Sequence, residues 1–506
     1  MNDSIVPSVL SVSEHLNQSV LVAVSVTVAA PLLGAIVSSL GFGRRSPRLL
    51  AVTAAAISLV SSLAITVLWS LSDGRPIGYG AHMGGGRLLF VDGLTAVLLP
   101  YVALVGLAIL LIAPRRSLEQ AAVTRILFGT AATASLFVTS HPLAMVVLWI
   151  MTSLPTWIST KATPGGRPAA RVFLIAMTAA LSCMALGTVC MLVDPPWETA
   201  SGWVGTTGGW LVAIAVMVRK GIVPFHSWYP ALYAGAPMST ALSATMPQVA
   251  AYTAVRLLIG HADGVASELV MLSQMALITA AYGGALAMVQ RDLRGLIGTL
   301  AMSQSAMVLA GLSGTLPMEL NGALCMWISS GLSLTGIGLA TWALESRAGV
   351  ISLDTPQGRF WDAPALAAFF LLFGLACIGL PGSLSFVADD LIVSGSLDEQ
   401  LHAGLLVILS TVLSGIAIMR GWFYVFGGPT TADGTRHAIL LRERVAMLAL
   451  LFAIFSLGLF PAPLVQSLDR TAQELLGTQR DSPSPRGQQS PTDSNGVELH
   501  NASGER

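Results

Sequence analysis

Charged residues are scarce in this chain, and their scarcity excludes whole classes of protein. Asp, Glu, Lys and Arg together make up 10% of the 506 residues, whereas hydrophobic residues make up 54%. A soluble globular domain carries about 25% charged residues. The formal net charge is zero, so the composition indicates no basic surface for nucleic acid. Apolar runs of about 20 residues, long enough to cross a bilayer, recur along the chain. We therefore predict a polytopic membrane protein.

Cysteine and catalytic motifs are equally sparse. The four cysteines form no CxxC pair, which argues against iron–sulfur ligation or a zinc ribbon. All four lie in apolar segments, where cysteine commonly serves as a small packing residue: Cys183, Cys190, Cys325 and Cys377. No HExxH, P-loop, GxSxG or dinucleotide fingerprint occurs. We therefore expect no enzyme active site, no metal site and no bound cofactor in this chain.

The apolar runs predict an all-α transmembrane domain over residues 1–478, with about 14 helices and membrane lipid as its surroundings. The predicted centres fall near residues 30, 60, 101, 129, 149, 182, 218, 249, 277, 304, 330, 371, 414 and 455. A further apolar piece, from Leu380 to Gly395, contains Pro381 and is interpreted as the second half of a broken twelfth helix. Polar residues dominate from residue 479 onward, and such a composition cannot bury a core. Residues 479–506 are therefore predicted to be a disordered tail.

The distribution of basic residues predicts an orientation. Arginine and lysine concentrate in the odd-numbered loops, beginning with Arg44, Arg45 and Arg48, whereas the alternate loops carry only Arg75 and Arg87. Cytoplasmic loops of membrane proteins are enriched in these residues. We therefore expect odd-numbered loops in the cytoplasm, both termini on the opposite side, and a location in the cell inner (plasma) membrane.

One segment, Arg219 to Trp228, places two cations and a histidine within an apolar stretch. A charge at the bilayer centre costs roughly 2.5–3.5 kcal/mol and marks a functional candidate. Pro224, four residues after Lys220, removes a backbone donor and predicts a helix break. Two interpretations stay open. Arg219, Lys220 and His226 serve a proton or cation relay at the break, or the two cations only pair with buried acids or reach towards the interface.

Several other ionisable residues lie in or near predicted spans. Asp389 and Asp390 are adjacent, so their side chains point about 100° apart on a helix. One would face a conduction path while the other caps the half-helix, and capping alone is the simpler alternative. Asp92 opens the third span, where an acid is often a cap. Arg256 and Arg420 lie late in their spans, and we expect both to reach the interface.

Taken together, these segments resemble the proton-conducting membrane transporter family. The run from Arg219 to Leu242 is similar to the seventh-span signature of that family, a basic residue followed by Pro-aromatic/Leu-His-x-Trp and Ala-Pro-x-x-x-Ser/Ala-Ala-Leu. Further similar segments are Phe90–Leu94, Gln290–Arg294 with Ser303-Gln304, and Gly379–Gly382 followed by two aspartates. The family includes the L, M and N antiporter-like subunits of respiratory complex I, the large Mrp antiporter subunits and the DabB subunits of inorganic carbon transporters. The resemblance implies 14 spans, inverted repeats and broken helices 7 and 12.

The charged axis that the resemblance implies is depleted in this sequence. The position of the fifth-span glutamate is assigned to Ile150, and that of the eighth-span lysine or histidine to Gln248. The eleventh span lacks the family's histidines and lysine. The seventh-span basic position falls on Arg219 rather than on Lys220. This depletion makes ordinary complex I pumping doubtful and leaves a non-conducting scaffold as a third possibility.

The DabB-type branch resembles this pattern more closely. It carries an arginine at the seventh-span position, a Trp-x-x-Thr-Ser-Leu motif in the fifth span and an Arg-Pro-Ala-Ala segment after it; the corresponding residues here are Trp149–Leu154 and Arg167–Ala170. The resemblance implies the membrane subunit of an inorganic carbon (CO2/bicarbonate) transporter, conducting H⁺ or Na⁺ to drive uptake. Its implied partner is a DabA-like, zinc-containing cytoplasmic subunit.

The alternative is a proton-translocating subunit of an NADH:quinone oxidoreductase-like complex or a Mrp-type cation/proton antiporter. In either case the resemblance implies the same ion pathway and the same two helix breaks. The expected pathway residues are Arg219, Lys220, His226, Asp389 and Asp390, and the expected break residues are Pro224 and Pro381.

Overall fold

The computed structural model describes residues 5–41, 47–72, 76–79, 86–114, 119–195, 202–314, 316–429 and 438–477. The predicted tail, residues 479–506, lies outside this set. The described α-helices, in chain order, are α1 (Ile5–Ser39), α2 (Pro47–Leu71), α3 (Gly93–Ile112), α4 (Gln120–Phe137), α5 (Pro142–Ala162), α6 (Arg167–Val193), α7 (Trp203–Lys220), α8 (Trp228–Gly235), α9 (Met238–Thr245), α10 (Val249–Leu257), α11 (Ala266–Met288), α12 (Leu293–Leu312), α13 (Pro317–Ala348), α14 (Pro364–Cys377), α15 (Leu384–Glu399), α16 (Leu401–Phe426), α17 (Leu441–Leu459) and α18 (Ala462–Gly477).

The expected multi-pass helical fold is confirmed. Within the described ranges, nine helices are long and apolar enough to cross a membrane, or up to 10 if the bent pair α17 and α18 is one span. Every one of the fourteen predicted centres lies inside a described helix, but fourteen crossings and the inverted repeats stay predictions. A small antiparallel hairpin, β1 (Ile77–Tyr79) with β2 (Leu89–Val91), was not predicted.

Burial divides the helices into a centre and a rim. The apolar stretches of α12 and α13 are wholly buried, whereas only 33% of those of α1, α2 and α6 is buried. The rim helices turn large apolar side chains outward, such as Val60, which is 68% exposed, and Ile175, which is 63% exposed. Lipid tails are as apolar as these side chains, so no hydrophobic penalty opposes their exposure in a bilayer.

The predicted break in the seventh span is confirmed. Helix α7 ends at Gly221, whose φ of 69° is the left-handed conformation that glycine tolerates best. The chain then passes through the cis bond before Pro224 and re-enters a helix at Trp228. Two long-range contacts hold this break: the Trp228 indole N–H donates to the Val218 carbonyl at 2.8 Å, and the Val223 N–H donates to the Thr279 hydroxyl at 3.0 Å.

The twelfth-span break is likewise confirmed, between α14 and α15, where Gly379 and Gly382 have φ of 83° and 89° on either side of Pro381. A third break, between α9 and α10, was not predicted. There Gln248 adopts a left-handed φ of 53°, the one non-glycine residue to do so in the described part of the chain. Pro247 was the signal that could have revealed it, because proline removes the backbone donor and restricts the preceding residue.

Substituting Gly221 with alanine tests how tightly the seventh-span break is packed. A Cβ at this position would lie 2.8 Å from the Tyr229 ring, while the left-handed backbone adds strain of about 1–2 kcal/mol. Gly165→Ala is the matched control, because Gly165 has a φ of 76° and nothing within 4 Å of its would-be Cβ. We expect Gly221→Ala to lower the free energy of unfolding in micelles by clearly more than Gly165→Ala; equal losses would mean that the break is loosely packed.

Candidate functional site

A polar cavity, called the α7 cavity below, lies beside the seventh-span break. Three cations line it: Arg125 from α4, and Arg219 and Lys220 from the last turn of α7. Serine and threonine hydroxyls from α4, α5 and α9 complete its polar wall, and α3 contributes apolar side chains. The cavity offers about 60 Å³ to water molecules, which exceeds the roughly 10–15 Å³ that a single water needs. The break therefore brings charges and a hydratable space together inside the bundle.

Lys220 is buried, with 2% exposure. Its Nζ donates to Oε1 of Gln248 at 2.5 Å. Gln248 lies at the unpredicted break between α9 and α10, so its left-handed backbone places the amide at the cavity. The side chain that meets the buried ammonium is thus a neutral acceptor.

Arg219 is half-buried, and its hydrogen bonds join it to α5. Its Nη1 donates to the Trp149 carbonyl at 3.1 Å and its Nη2 to the Thr152 hydroxyl at 2.7 Å. The guanidinium also lies over the Trp149 ring, 4.6 Å from its centroid, a cation–π contact. Trp149 is itself fixed, because its indole N–H donates to the Thr253 hydroxyl at 2.9 Å.

No carboxylate faces these cations from α5, whose sequence contains neither Asp nor Glu. The expected position of the fifth-span acid, Ile150, is 39% exposed on the outer side of the helix. Trp149 and Thr152, not Ile150, are the residues opposite Arg219. Arg219 therefore meets a ring face, a carbonyl and a hydroxyl from α5.

His226 is separated from the two cations. It is half-buried and lies against α11, with its ring edge-to-face with Tyr282 at a centroid distance of 5.2 Å. Its Nε2 is 3.5 Å from the Tyr282 hydroxyl. Pro224 is exposed, and neither it nor His226 lines the cavity among its described residues.

The two aspartates of the twelfth-span break differ in environment. Asp389 is half-buried, and its Oδ1 is a buried oxygen without a hydrogen-bond partner. Its Oδ2 lies over Gly379, where a Cβ would approach to 2.7 Å. Asp390 and Pro381 are exposed. Asp389 alone therefore faces the break, and neither aspartate is among the described residues of the α7 cavity.

A buried ion pair near the third span was missed. Arg256 binds Asp92 through two hydrogen bonds of 2.6 and 2.8 Å, and both side chains are 6% exposed. Arg256 also lies over the rings of Phe90 and Tyr252 at 4.9 and 4.8 Å. The expectation that Arg256 reaches the interface was wrong, because the paired acid and the aromatic faces hold it inside. Asp92 does cap α3, accepting from the Thr95 N–H at 2.9 Å.

Comparison with known proteins gives a consistent result. A family model described as NADH:quinone oxidoreductase/Mrp antiporter, TM, matches residues 166–417. NADH-quinone oxidoreductase subunit M of Pseudomonas aeruginosa is 28% identical over 279 residues, which cover 54% of this chain and 53% of that protein. NAD(P)H-quinone oxidoreductase chain 4 of the Marchantia polymorpha chloroplast is 27% identical over 264 residues, covering 49% and 52%. The chain spans about half the length of the curated relatives it matches.

Solved structures share the fold. A chain of respiratory complex I from Thermus thermophilus with bound NADH superposes with a TM-score of 0.82 at 21% identity, covering 90% of this chain and 99% of that one. A chain of the Mrp complex from Dietzia sp. DQ12-45-1b gives a TM-score of 0.79 at 20% identity, covering 90% and 98%. The backbone arrangement is thus common to both kinds of complex.

Removing one member of the Asp92–Arg256 pair tests how much the buried pair matters. Asp92→Ala leaves a buried guanidinium without its acid, which costs about 3–5 kcal/mol. Arg294→Ala is the control, because the Arg294–Glu345 pair has similar geometry but Arg294 is 26% exposed. We expect the larger loss of unfolding free energy in Asp92→Ala, and the double variant Asp92→Leu with Arg256→Met to recover most of it. Equal losses at the two sites would show that burial of the pair is unimportant.

Proposed function

Because this chain belongs to the NADH:quinone oxidoreductase/Mrp antiporter transmembrane family, we propose that it is a proton-translocating membrane subunit of a multisubunit complex. The residues matched by the family model, 166–417, include all three breaks: between α7 and α8, between α9 and α10, and between α14 and α15. These are the places where half-helices and unpaired backbone groups can serve an ion inside a membrane protein.

The observation that carries this proposal is the position of Lys220. It is a buried amine, it lines a cavity with room for water, and its hydrogen-bond partner is the neutral Gln248. An amine exchanges protons readily when its surroundings change, whereas a guanidinium stays charged. We assign Lys220 the exchange of the proton and Arg219 the fixed positive field beside it.

The twelfth-span break supplies the second half of the proposed route. Asp389 is the carboxylate that faces this break, with one buried oxygen that has no hydrogen-bond partner. The wholly buried helices α12 and α13 pack against each other, with α8 against α12 and α15 against α13, and carry buried hydroxyls such as Ser305 and Ser330. Hydroxyls and enclosed water together would relay a proton between Lys220 and Asp389. We assign His226, at the outer edge of the seventh-span break, to the entrance of the proposed proton route.

The proposed function also concerns the partners of this chain and its orientation in the membrane. The relatives are named as subunits of quinone oxidoreductases and the solved structures as respiratory complex I and a Mrp complex, so we propose that this chain also assembles with other membrane subunits. The distribution of arginines supports cytoplasmic odd-numbered loops in an inner membrane.

A second candidate function is energy-coupled inorganic carbon uptake with a DabA-like zinc-containing partner. One observation favours it: the fifth-span residues that suggested this branch, Trp149 and Thr152, are the ones that bind Arg219. The arginine at the seventh-span position is therefore accompanied by fifth-span residues that bind it. In this candidate the same proton current would drive CO2 hydration or capture by the partner.

The identity of the partners separates the two candidates. The full chain, tagged at one end and expressed in its own organism, would be extracted in mild detergent and its co-purifying proteins identified by mass spectrometry. Quinone-oxidoreductase or Mrp-type subunits in stoichiometric amounts would establish the first candidate. A soluble zinc protein as the sole stoichiometric partner would establish the second and overturn the first.

Lysine substitution tests the translocation itself. The chain contains two lysines, Lys161 and Lys220, and Lys161 lies over the Trp157 ring outside the cavity lining. We expect Lys220→Gln to reduce proton flux at least tenfold when the purified complex is reconstituted in liposomes and driven by a potassium diffusion potential. Lys161→Gln, the matched control, should conduct like the wild type. Unchanged flux in Lys220→Gln would support a scaffold role instead.

A further inference from the structure

The α7 cavity combines three cations with no acid. Arg125, Arg219 and Lys220 line it, and no Asp or Glu is among its described lining residues. Each cation has a neutral acceptor: the Ser159 hydroxyl for Arg125 at 2.8 Å, backbone and hydroxyl oxygens for Arg219, and an amide for Lys220. The positive charge of this cavity is therefore not balanced by the side chains that form it.

Three other arginines in the described part of the chain are balanced by acids. Arg256, Arg294 and Arg347 each bind a carboxylate at 2.6–2.7 Å. Arg420 instead donates to the Gln290 carbonyl at 3.0 Å and lies over the Tyr424 ring. The cavity differs from these single sites because three cations share one lining without an acid, and unpaired charge is costly to bury.

Hydrogen-bond donors remain available at the cavity. A guanidinium has five N–H donors and an ammonium three, whereas the structure gives two such bonds to Arg219, one to Arg125 and one to Lys220. Threonine and serine hydroxyls, which also donate, share the same wall. Because one face of Arg219 is covered by Trp149, its free donors lie along the edge of the guanidinium.

We propose that this cavity binds a small inorganic monovalent anion, a halide or a planar oxyanion of the size of nitrate or bicarbonate. Two guanidiniums and an ammonium supply the charge, and the remaining N–H and O–H groups supply the hydrogen bonds that such an anion accepts. A space of about 60 Å³ for water has room for one small anion. Anion binding does not require proton translocation, because it follows from the charge of the lining alone.

Anion binding is measured on the purified full chain in nanodiscs of zwitterionic lipid. Thermal unfolding is followed as chloride, nitrate or bicarbonate replaces gluconate, which is too large for the cavity, at constant pH and ionic strength. We expect a saturable rise in Tm with the small anions, with an apparent affinity at least tenfold weaker in Arg125→Gln and Arg219→Gln. Lys161→Gln, which removes a cation outside the cavity, should respond like the wild type.

A direct measurement covers the possibility that a cavity variant folds poorly. Equilibrium binding of radioactive chloride is measured on the monodisperse fraction of each variant, with Arg219→Lys included because it keeps the charge. Saturable binding to the wild type and Arg219→Lys, with loss in Arg219→Gln, supports the site. A wild type that binds no chloride, nitrate or bicarbonate overturns the proposal, as does the same affinity in Arg125→Gln, Arg219→Gln and the wild type.

Discussion

Two positive charges held against neutral acceptors, at the point where a helix stops, are the constraint around which this bundle is arranged. Arg219 and Lys220 occupy the last turn of α7, where a helix presents unpaired carbonyl groups and favours cations. Arg219 then needs a carbonyl and a ring from α5, and Lys220 needs an amide that only the left-handed turn at Gln248 supplies. Breaks in two neighbouring spans are thus linked through one hydrogen bond.

The helices and two of the helix breaks could be predicted from the sequence, because they follow from local chemistry. Apolar runs predicted the helices, and the prolines predicted the breaks at Pro224 and Pro381, because proline removes a backbone donor where it stands. The contacts that define the site were not accessible. Gln248 meets Lys220 across 28 residues and Asp92 meets Arg256 across 164, and no periodicity within one segment encodes which face meets which. The third break, between α9 and α10, carried one signal, Pro247. Proline alone does not predict the left-handed turn that follows it at Gln248.

Proton exchange at Lys220 and anion binding are both proposed for the same cavity. A proton carrier at Lys220 works in a field set by Arg219 and Arg125, and an anion in the cavity would weaken that field. Translocation and anion occupancy would then influence each other through charge alone, without movement of a helix. The absence of Asp and Glu from α5 is what creates this situation, since Arg219 meets only the neutral Trp149 and Thr152 there.

The central claim is that Lys220 lies in a hydrated cavity and not in dry packing. Nitrogen-15 NMR of the lysine side-chain amines tests it most directly, because the chain has two lysines and Lys161→Gln assigns both signals. We expect magnetisation transfer from water to the Lys220 ammonium in the membrane-embedded protein. A Lys220 signal without water contact, in a sample where Lys161 shows it, would mean that Lys220 lies in dry packing.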